Sequence, residues 1–289
     1  MEKLRIYFLS IFIFFSCNGN NATESKHFGV KDDTLSNCAK AEMLFEEKGS
    51  QGTYRSKLYL DSAIKLCPSL AKAWREKGVP FLKRGDYATW LSYLNRAVEI
   101  SPSDFLDIRA WCKVKFLHDY NGALEDFKNF DLLHAKNPKI IGDYNIYTWM
   151  ALCETGLNNH EIALRYANKS IAISSKEHGE EWVGMYDFLY RGNIKLALKD
   201  YKGALEDFNK QLRNSDKLAE GYYYQGLAFL RQKKKKDAKK SFKKSIYYFT
   251  NGYTMSDPYV EMPFKVYLSD AEIELSKLLS PPAYDTHTP

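Results

Sequence analysis

The residues with the most reactive side chains are spread along the chain without assembling a catalytic or metal site. The six histidines form no His-Glu-x-x-His pair, and neither a Gly-x-Ser-x-Gly elbow nor a phosphate-binding glycine loop is present. The paired acids Glu125-Asp126 and Glu206-Asp207 are adjacent in sequence, so on a helix they point in different directions and do not converge on one reacting atom. We therefore expect no enzyme activity, no metal and no cofactor.

Cys17 is a cysteine whose sequence context predicts a chemical modification. A short basic start is followed by the apolar run Ile6–Phe15, which has the length of a secretory signal core and is too short to span a bilayer. A small residue, Cys17 and a polar stretch follow, and this order resembles a bacterial lipoprotein signal, although Phe14 stands where such signals carry leucine. The resemblance implies cleavage before Cys17 and acylation of this residue. An ordinary signal peptide with an incidental cysteine is the alternative.

The residues after this cysteine predict a cellular location and a flexible tether. Asn18 is not the aspartate that favours inner-membrane retention of lipoproteins, so the resemblance implies an outer-membrane lipoprotein of the cell envelope that faces the periplasm. Residues 17–36 are polar and aperiodic, which predicts a flexible tether after the signal peptide 1–16. Within the tether, Asp33-Thr34-Leu35 resembles a short bacterial O-glycosylation signal, which would place a glycan on Thr34.

The stretch Ala71–Pro102 has the pattern of two short amphipathic helices joined by a tight turn. The residues that carry this pattern are Trp74, Gly78, Phe81, Tyr87, Leu94, Ala97 and Pro102. Their spacing resembles the tetratricopeptide repeat, a helix-turn-helix unit of about 34 residues. The pattern recurs along the chain, and the phrases Asp119–Phe127 and Asp200–Phe208 are nearly identical. The resemblance covers six units, one to six, at about 37–70, 71–103, 104–137, 144–177, 185–218 and 219–252.

This resemblance implies an all-α fold, a tetratricopeptide-type helix-turn-helix solenoid of about six repeats with a C-terminal capping helix. Stacking is needed because a single helix pair cannot bury its apolar face alone. Longer unit spacings predict inserts near Pro138–Asp143 and His178–Gly184. In the capping region 253–280, Ser269 and Glu272 fit a capping box at the start of the last helix, and residues 281–289 form a tail.

Four cysteines fall at defined positions of the repeat. The resemblance places Cys38 at the start of the first helix of unit one and Cys67 at the end of its second, and an antiparallel pair brings these ends together. In an oxidising compartment they predict a disulfide, with two separate thiols as the alternative. Cys112 and Cys153 lie on the first helices of adjacent units, where a bridge is less favoured.

In tetratricopeptide proteins, fixed positions of each first helix line a concave groove. The residues of this chain at those positions that we expect to bind a partner are Lys72, Arg75, Lys83, Lys115, Tyr186, Asn193, Tyr223 and Arg231. The groove is thus predicted to be basic in its first half and aromatic and polar in its second, which suits an extended acidic peptide. A groove of merely average residues is the alternative. The clamp that holds chaperone tails in some relatives needs asparagine where Val79 stands, so that mode is not expected.

Composition narrows the class of partner. The 289 residues carry a formal charge of +6 without any motif that reads a nucleic-acid groove, so nucleic acid is not expected. The run Lys233–Lys236 predicts a solvated face, with contact to anionic lipid headgroups as the alternative. We expect a lipid-anchored protein-protein interaction scaffold with a protein or peptide partner. A glycan- or small-ligand-binding lipoprotein is the alternative, for which Trp90, Trp111 and Trp182 would supply stacking rings.

Overall fold

The computed structural model describes residues 35–134, 140–142, 144–257 and 259–279, and these residues form a stack of helix pairs. The helices are α1 (Asn37–Glu47), α2 (Tyr54–Leu66), α3 (Ala71–Lys83), α4 (Tyr87–Ile100), α5 (Pro102–Cys112), α6 (Tyr120–Leu133), α7 (Ile146–Gly156), α8 (His160–His178), α9 (Asp187–Ala197), α10 (Tyr201–Asn214), α11 (Ala219–Arg231), α12 (Lys235–Thr250) and α13 (Leu268–Leu279). Each consecutive pair from α1 to α12 makes one unit, and α13 packs against α12. The predicted all-α class is confirmed.

The turns inside three of the units are built by an aspartate that caps the second helix. Asp86, Asp119 and Asp200 each accept a hydrogen bond from the backbone N–H three residues later, at 3.2, 3.0 and 2.9 Å. An N-cap side chain satisfies one of the four N–H groups that a helix leaves unpaired at its start. The recurring Asp-Tyr pair therefore marks where the chain reverses.

Small and large side chains alternate where the two helices of a unit meet. Gly192 of α9 packs on the fully buried ring of Phe208 of α10, and a Cβ added to this glycine would lie 2.5 Å from that ring. Gly226 and Phe242 repeat the arrangement between α11 and α12, at 2.7 Å. The close approach needs a residue without a side chain, which explains the glycines of the repeat pattern.

Trp90 and Trp111 are two large side chains near the junction between units two and three. Trp90 lies inside the core, where it is 2% exposed and its indole is next to Gly78 of α3. Trp111 is half-buried and lies against Gly142, where a Cβ would come within 2.5 Å of the indole nitrogen. Both indoles are thus packed against glycines.

Both predicted inserts contain local structure. In the first, β1 (Ile140–Ile141) pairs antiparallel with β2 (Tyr144–Asn145), and the Trp149 indole donates to the Ile141 carbonyl at 2.8 Å. In the second, α8 runs on to His178 and a 3-10 turn, Glu180–Trp182, follows. The extra residues extend the units without breaking the stack.

The capping box predicted at Ser269 is wrong. The last helix begins one residue earlier, at Leu268, so Ser269 lies inside it. The bond that closes its first turn runs from the Tyr267 N–H to the Asp270 carboxylate, at 2.9 Å. This is the bond that the third residue of a helix makes back to the N-cap residue, which places the N-cap at Tyr267 and not at Ser269.

Candidate functional site

The segment between α12 and α13 lies along the first helices of units three to six. We call residues 253–257 and 259–267 the strap. Its two ends meet at Glu220 near the start of α11, whose side chain is fully buried. Lys265 Nζ donates to Glu220 Oε1 at 2.8 Å, and the Met255 N–H donates to the same carboxylate at 3.1 Å. Breaking the contacts of a buried carboxylate is costly in free energy, so Glu220 holds both ends of the strap in place.

An aromatic contact holds the second end of the strap. The Phe264 ring lies 5.9 Å from the Tyr190 ring of α9 and 6.4 Å from the Tyr224 ring of α11, measured between centroids. The Tyr224 hydroxyl donates to the Phe264 carbonyl at 2.9 Å. Met255 is 2% exposed and belongs to the same hydrophobic core. The strap thus lies in the second half of the groove and packs Met255 and Phe264 against its aromatic core.

The tip of the strap is held by an ion pair with unit three. Lys115 Nζ lies 2.6 Å from Asp257 Oδ2. Burial alone would raise the pKa of Asp257, but the hydrogen bond from Lys115 and the backbone N–H groups of Tyr259 and Val260 outweigh it, and the pKa lies below its usual value. Asp257 is therefore ionised at neutral pH and remains paired.

Lys115 reaches the strap from a π-helical turn. The turn, Lys113–Leu117, continues α5, and the His118 N–H bonds to the Lys113 carbonyl five residues back. From Lys113 to Asp119 the chain holds one residue more than from Lys195 to Asp200, the matching stretch of unit five. A π turn absorbs one inserted residue in a helix, and such turns are frequent at functional sites.

The groove of units two and three holds an open cavity of about 230 Å³. Its walls are apolar and aromatic, formed by Val79, Leu82, Tyr87, Leu94, Ile108, Trp111 and Phe116. Arg75 and Lys83 add positive charge, and Tyr259 of the strap stands at its edge with 63% of its surface exposed. A cavity with apolar walls and a few cationic groups has the composition of a pocket that binds both apolar and negatively charged groups.

The basic residues predicted for the groove differ in how much charge they present. Lys72 pairs with Glu42 and, at 3.3 Å, with Glu46 of α1. Arg75 pairs with the neighbouring Glu76 at 2.8 Å and still lines the open cavity, as does the exposed Lys83. Arg75 and Lys83 therefore both reach the cavity, and the charge of Arg75 is partly balanced by Glu76.

The predicted residues of the second half are mostly covered. Tyr186 and Asn193 are buried, and the Asn193 amide donates to the Leu189 carbonyl at 2.9 Å inside α9. Burial and the acidic residues of α13 raise the pKa of Tyr223 to about 12. Arg231 is exposed at the end of α11. The structure does not bring these four together as one open surface, because the strap and α13 occupy that side.

The remaining predicted residues are cysteines, Thr34 and tryptophans, and the structure describes some of them. Cys38 and Cys67 form a disulfide, which closes unit one, whereas Cys112 and Cys153 are free and buried. Cys17 and Thr34 lie outside the described residues, as does the predicted tail. Trp90, buried in the core, has no face available for stacking on a sugar.

Sequence reasoning missed the strap and Glu220. Glu220 occupies the second position of unit six, which is one of the groove positions, and this rule alone would have found it. The signal for the strap was the apolar, proline-containing stretch Met262-Pro263-Phe264 between two helices.

Two negative findings apply to the described part of the chain. There, no helix combines the length and the apolar character needed to cross a bilayer. Within the same residues, no three His, Cys, Asp or Glu side chains are grouped so that they could hold a metal ion.

Comparisons with known proteins find similarities of fold and none of sequence family. No family model matches the sequence, and no curated protein matches it either. Among solved structures, PilW, a widely conserved type IV pilus biogenesis factor, superposes with a TM-score of 0.57 at 15% identity, over 84% of this chain and 98% of that one. YrrB, a TPR protein with an unusual peptide-binding site, gives 0.52 at 15% identity, over 65% and 91%.

A third similar structure is the APC/C heterotetramer Cut9–Hcn1, with a TM-score of 0.54 at 15% identity over 78% of this chain. This chain spans only 39% of the chain it matches there. At such identities the similarities show the fold alone. The predicted tetratricopeptide-type solenoid is confirmed, and the class that the fold defines is an α-helical repeat protein.

Proposed function

We propose that this protein is a lipid-anchored interaction scaffold of the bacterial cell envelope, which binds an extended, acidic segment of a protein partner at units two and three. The observation that carries the proposal is the largely apolar cavity that Arg75 and Lys83 line, with Tyr259 of the strap at its edge. Apolar walls accept side chains of the partner, and the two cations attract its carboxylates. The protein acts by binding, without chemistry.

The anchor rests on the sequence alone. Acylation of Cys17 would hold the solenoid at the periplasmic face of the outer membrane, with residues 17–36 as the tether. We expect wild-type cells to incorporate labelled palmitate into the protein and to retain it in the outer-membrane fraction. The variant Cys17→Ala would lose both. Retention of the label in this variant would refute the anchor.

The partner site is tested by crosslinking in intact envelopes followed by mass spectrometry. The test variant is Arg75→Glu with Lys83→Glu, because these cations line the cavity without belonging to the strap contacts. The matched control is Lys233→Glu with Lys234→Glu, which makes the same charge change in the exposed turn before α12. We expect one dominant protein partner that is lost in the test variant and kept in the control.

An equal loss in both variants would indicate a general charge effect, and retention in both would refute this cavity as the site. The glycan-binding alternative makes a different prediction, since a glycan would quench tryptophan fluorescence of the purified protein. Such quenching together with no captured protein would overturn the scaffold function.

A further inference from the structure

The second helix of unit six, α12, carries its positive charge on one side. We call the residues of that side the lysine face: Lys236, Lys239, Lys240, Lys243 and Lys244. Their spacings of three and four residues put them on one side of a helix. Ala238, Phe242 and Ser245 on the opposite side are buried, and Asp237 is the only acid in the sequence of this helix. The lysine face therefore presents positive charge away from the core.

The charge of the lysine face is not neutralised within the described part of the protein. Among the ion pairs of those residues, none involves a lysine of this face. Lys236 and Lys240 stand four positions apart, as do Lys240 and Lys244, and like charges at this spacing destabilise a helix. The ammonium of Lys244 lies 4.8 Å from the Tyr222 ring, a contact that leaves its charge in place. The face is thus available to an external anion.

The repeat itself does not require these lysines. Lys240 stands where unit five has Glu206, two positions after the alanine of the close helix contact in each unit. Lys234 stands where Asp200 caps α10, and its side chain makes no capping hydrogen bond. Lys235 lies in the first turn of α12, where the helix dipole makes a cation unfavourable. Residues that lower the stability of their own helix indicate a role outside it.

Exposed tyrosines continue the lysine face at the end of α12. Tyr247 stands three positions after Lys244 and four after Lys243, and 62% of its surface is exposed. Its ring lies 5.3 Å from the Tyr248 ring, which lies 6.0 Å from the ring of Tyr253, itself 44% exposed. Tyrosine combines an apolar ring with a polar hydroxyl, and it is enriched where a membrane meets water. Positive charge and interfacial rings thus lie side by side.

We propose that the lysine face and Tyr247 form a docking surface for an anionic phospholipid membrane. Helices with clusters of about four to eight lysines or arginines bind anionic lipids through the negative surface potential. Lysine is a point charge on a flexible stem, so it suits mobile headgroups that offer no fixed geometry. Lys233 and Lys234 precede the helix and do not belong to the face. The surface goes beyond the proposed function, since it requires neither the partner nor Cys17.

Docking through this surface determines which way the groove faces. Ser245, on the side of α12 opposite the lysine face, donates to the Ala219 carbonyl of α11 at 2.9 Å. The lysine face therefore points away from α11, and α11 is one of the first helices that line the groove. A membrane bound to the lysine face leaves the groove free for a partner.

The test measures binding of the purified full chain to lipid vesicles. The reference chain and the test chain both carry Cys17→Ala, so that no acyl chain contributes, and the test chain adds Lys236→Gln, Lys240→Gln and Lys243→Gln. The reference should prefer vesicles of phosphatidylcholine mixed with phosphatidylglycerol over phosphatidylcholine alone, and salt should weaken that binding. Each lysine near an anionic surface contributes about a five-fold factor, so the test chain should bind the mixed vesicles about a hundred-fold more weakly.

The matched control chain adds Lys57→Gln, Lys65→Gln and Lys128→Gln to Cys17→Ala, which removes the same charge from exposed positions on α2 and α6. It should bind like the reference. An equal loss in the control would indicate an effect of net charge and overturn the docking surface, and so would equal binding of the reference to both kinds of vesicle. Release from the vesicles by polyglutamate at the same charge concentration would assign the face to an acidic protein and overturn it as well.

Two further measurements examine the fold and the ring. The urea midpoint of the test chain should not fall, because its substitutions remove repulsion between neighbouring lysines; a lower midpoint would mean that the lysines serve the fold and would overturn the proposal. Tyr247→Ser should weaken binding to the mixed vesicles about five-fold at low and high salt alike, because burial of an apolar ring is not screened. An unchanged affinity would overturn the place of this ring in the surface.

Discussion

Asp207 of α10 is a buried carboxylate that holds two cations of α9, and its removal gives a prediction with a definite size. The Asp207 side chain is 1% exposed. It accepts hydrogen bonds from Arg191 Nε and Nη2 at 2.9 and 2.6 Å, and Lys195 Nζ lies 2.8 Å from it. Asp126 makes the same contacts in unit three, with Arg109 and Lys113.

The substitution Asp207→Asn keeps the shape of the side chain and removes its charge. Each hydrogen bond to a charged group contributes about 1.5–3 kcal/mol, but three such values do not simply add. Arg191 and Lys195 keep 13% and 16% of their exposure, so they regain part of their hydration. We therefore expect a loss of about 3–5 kcal/mol in the free energy of unfolding, the range for a buried pair that loses one partner.

The assay is urea denaturation followed by circular dichroism. The control is Glu206→Gln, the adjacent acid on the exposed side of the same helix, which should change the free energy by less than about 0.5 kcal/mol. Asp126→Asn should reproduce the loss in unit three. A loss below about 1 kcal/mol for Asp207→Asn, or an equal loss for Glu206→Gln, would refute the reasoning.

Three further predictions concern the disulfide, a buried acid and a close helix contact. Reducing the Cys38–Cys67 bond, which closes a loop with a sequence separation of 29, should lower stability by about 3–4 kcal/mol in the chain-entropy model; an unchanged urea midpoint under reductant would contradict this. Burial raises the pKa of Asp187 to about 6, so the native carboxyl holds its proton more tightly than the unfolded one between about pH 4 and about pH 6, and stability should fall as pH rises through this window. Asp187→Asn should remove that fall, as read from urea midpoints at the two ends of the window. Gly192→Ala should destabilise by about 1–3 kcal/mol in the same assay, because its Cβ would lie 2.5 Å from the Phe208 ring and the helices cannot separate freely; no loss would mean that the ring moves aside.

The helix pairs were predictable because a tetratricopeptide unit is a local structure. The Asp-Tyr turn, the glycine or alanine at the close approach and the large ring opposite it all lie within one unit of sequence. Each unit then meets only its neighbours, so the same short-range pattern also determines how the units stack. Local signals were less reliable at the last helix, which begins before Ser269 and whose Asp270 bonds back to the Tyr267 N–H.

The binding surface was predictable only in part. Position rules name the side chains that face the groove, among them Arg75 and Lys83, which line the cavity of units two and three. These rules do not indicate which of those side chains already pair with another residue of the protein. Lys72 is paired with α1 and Lys115 with the strap, contacts that join residues far apart in sequence.

What the sequence alone determined about this protein is the type of repeat, the positions of its turns and the face of each first helix that lines the groove. These follow from side-chain periodicity and size over about 34 residues. Only the tertiary structure decided that the strap lies in the second half of the groove. The strap lies there because Glu220, Tyr190 and Lys115 bind it with a carboxylate, a ring and an ammonium. These residues belong to three different units, so no local sequence pattern predicts that they come together at one surface.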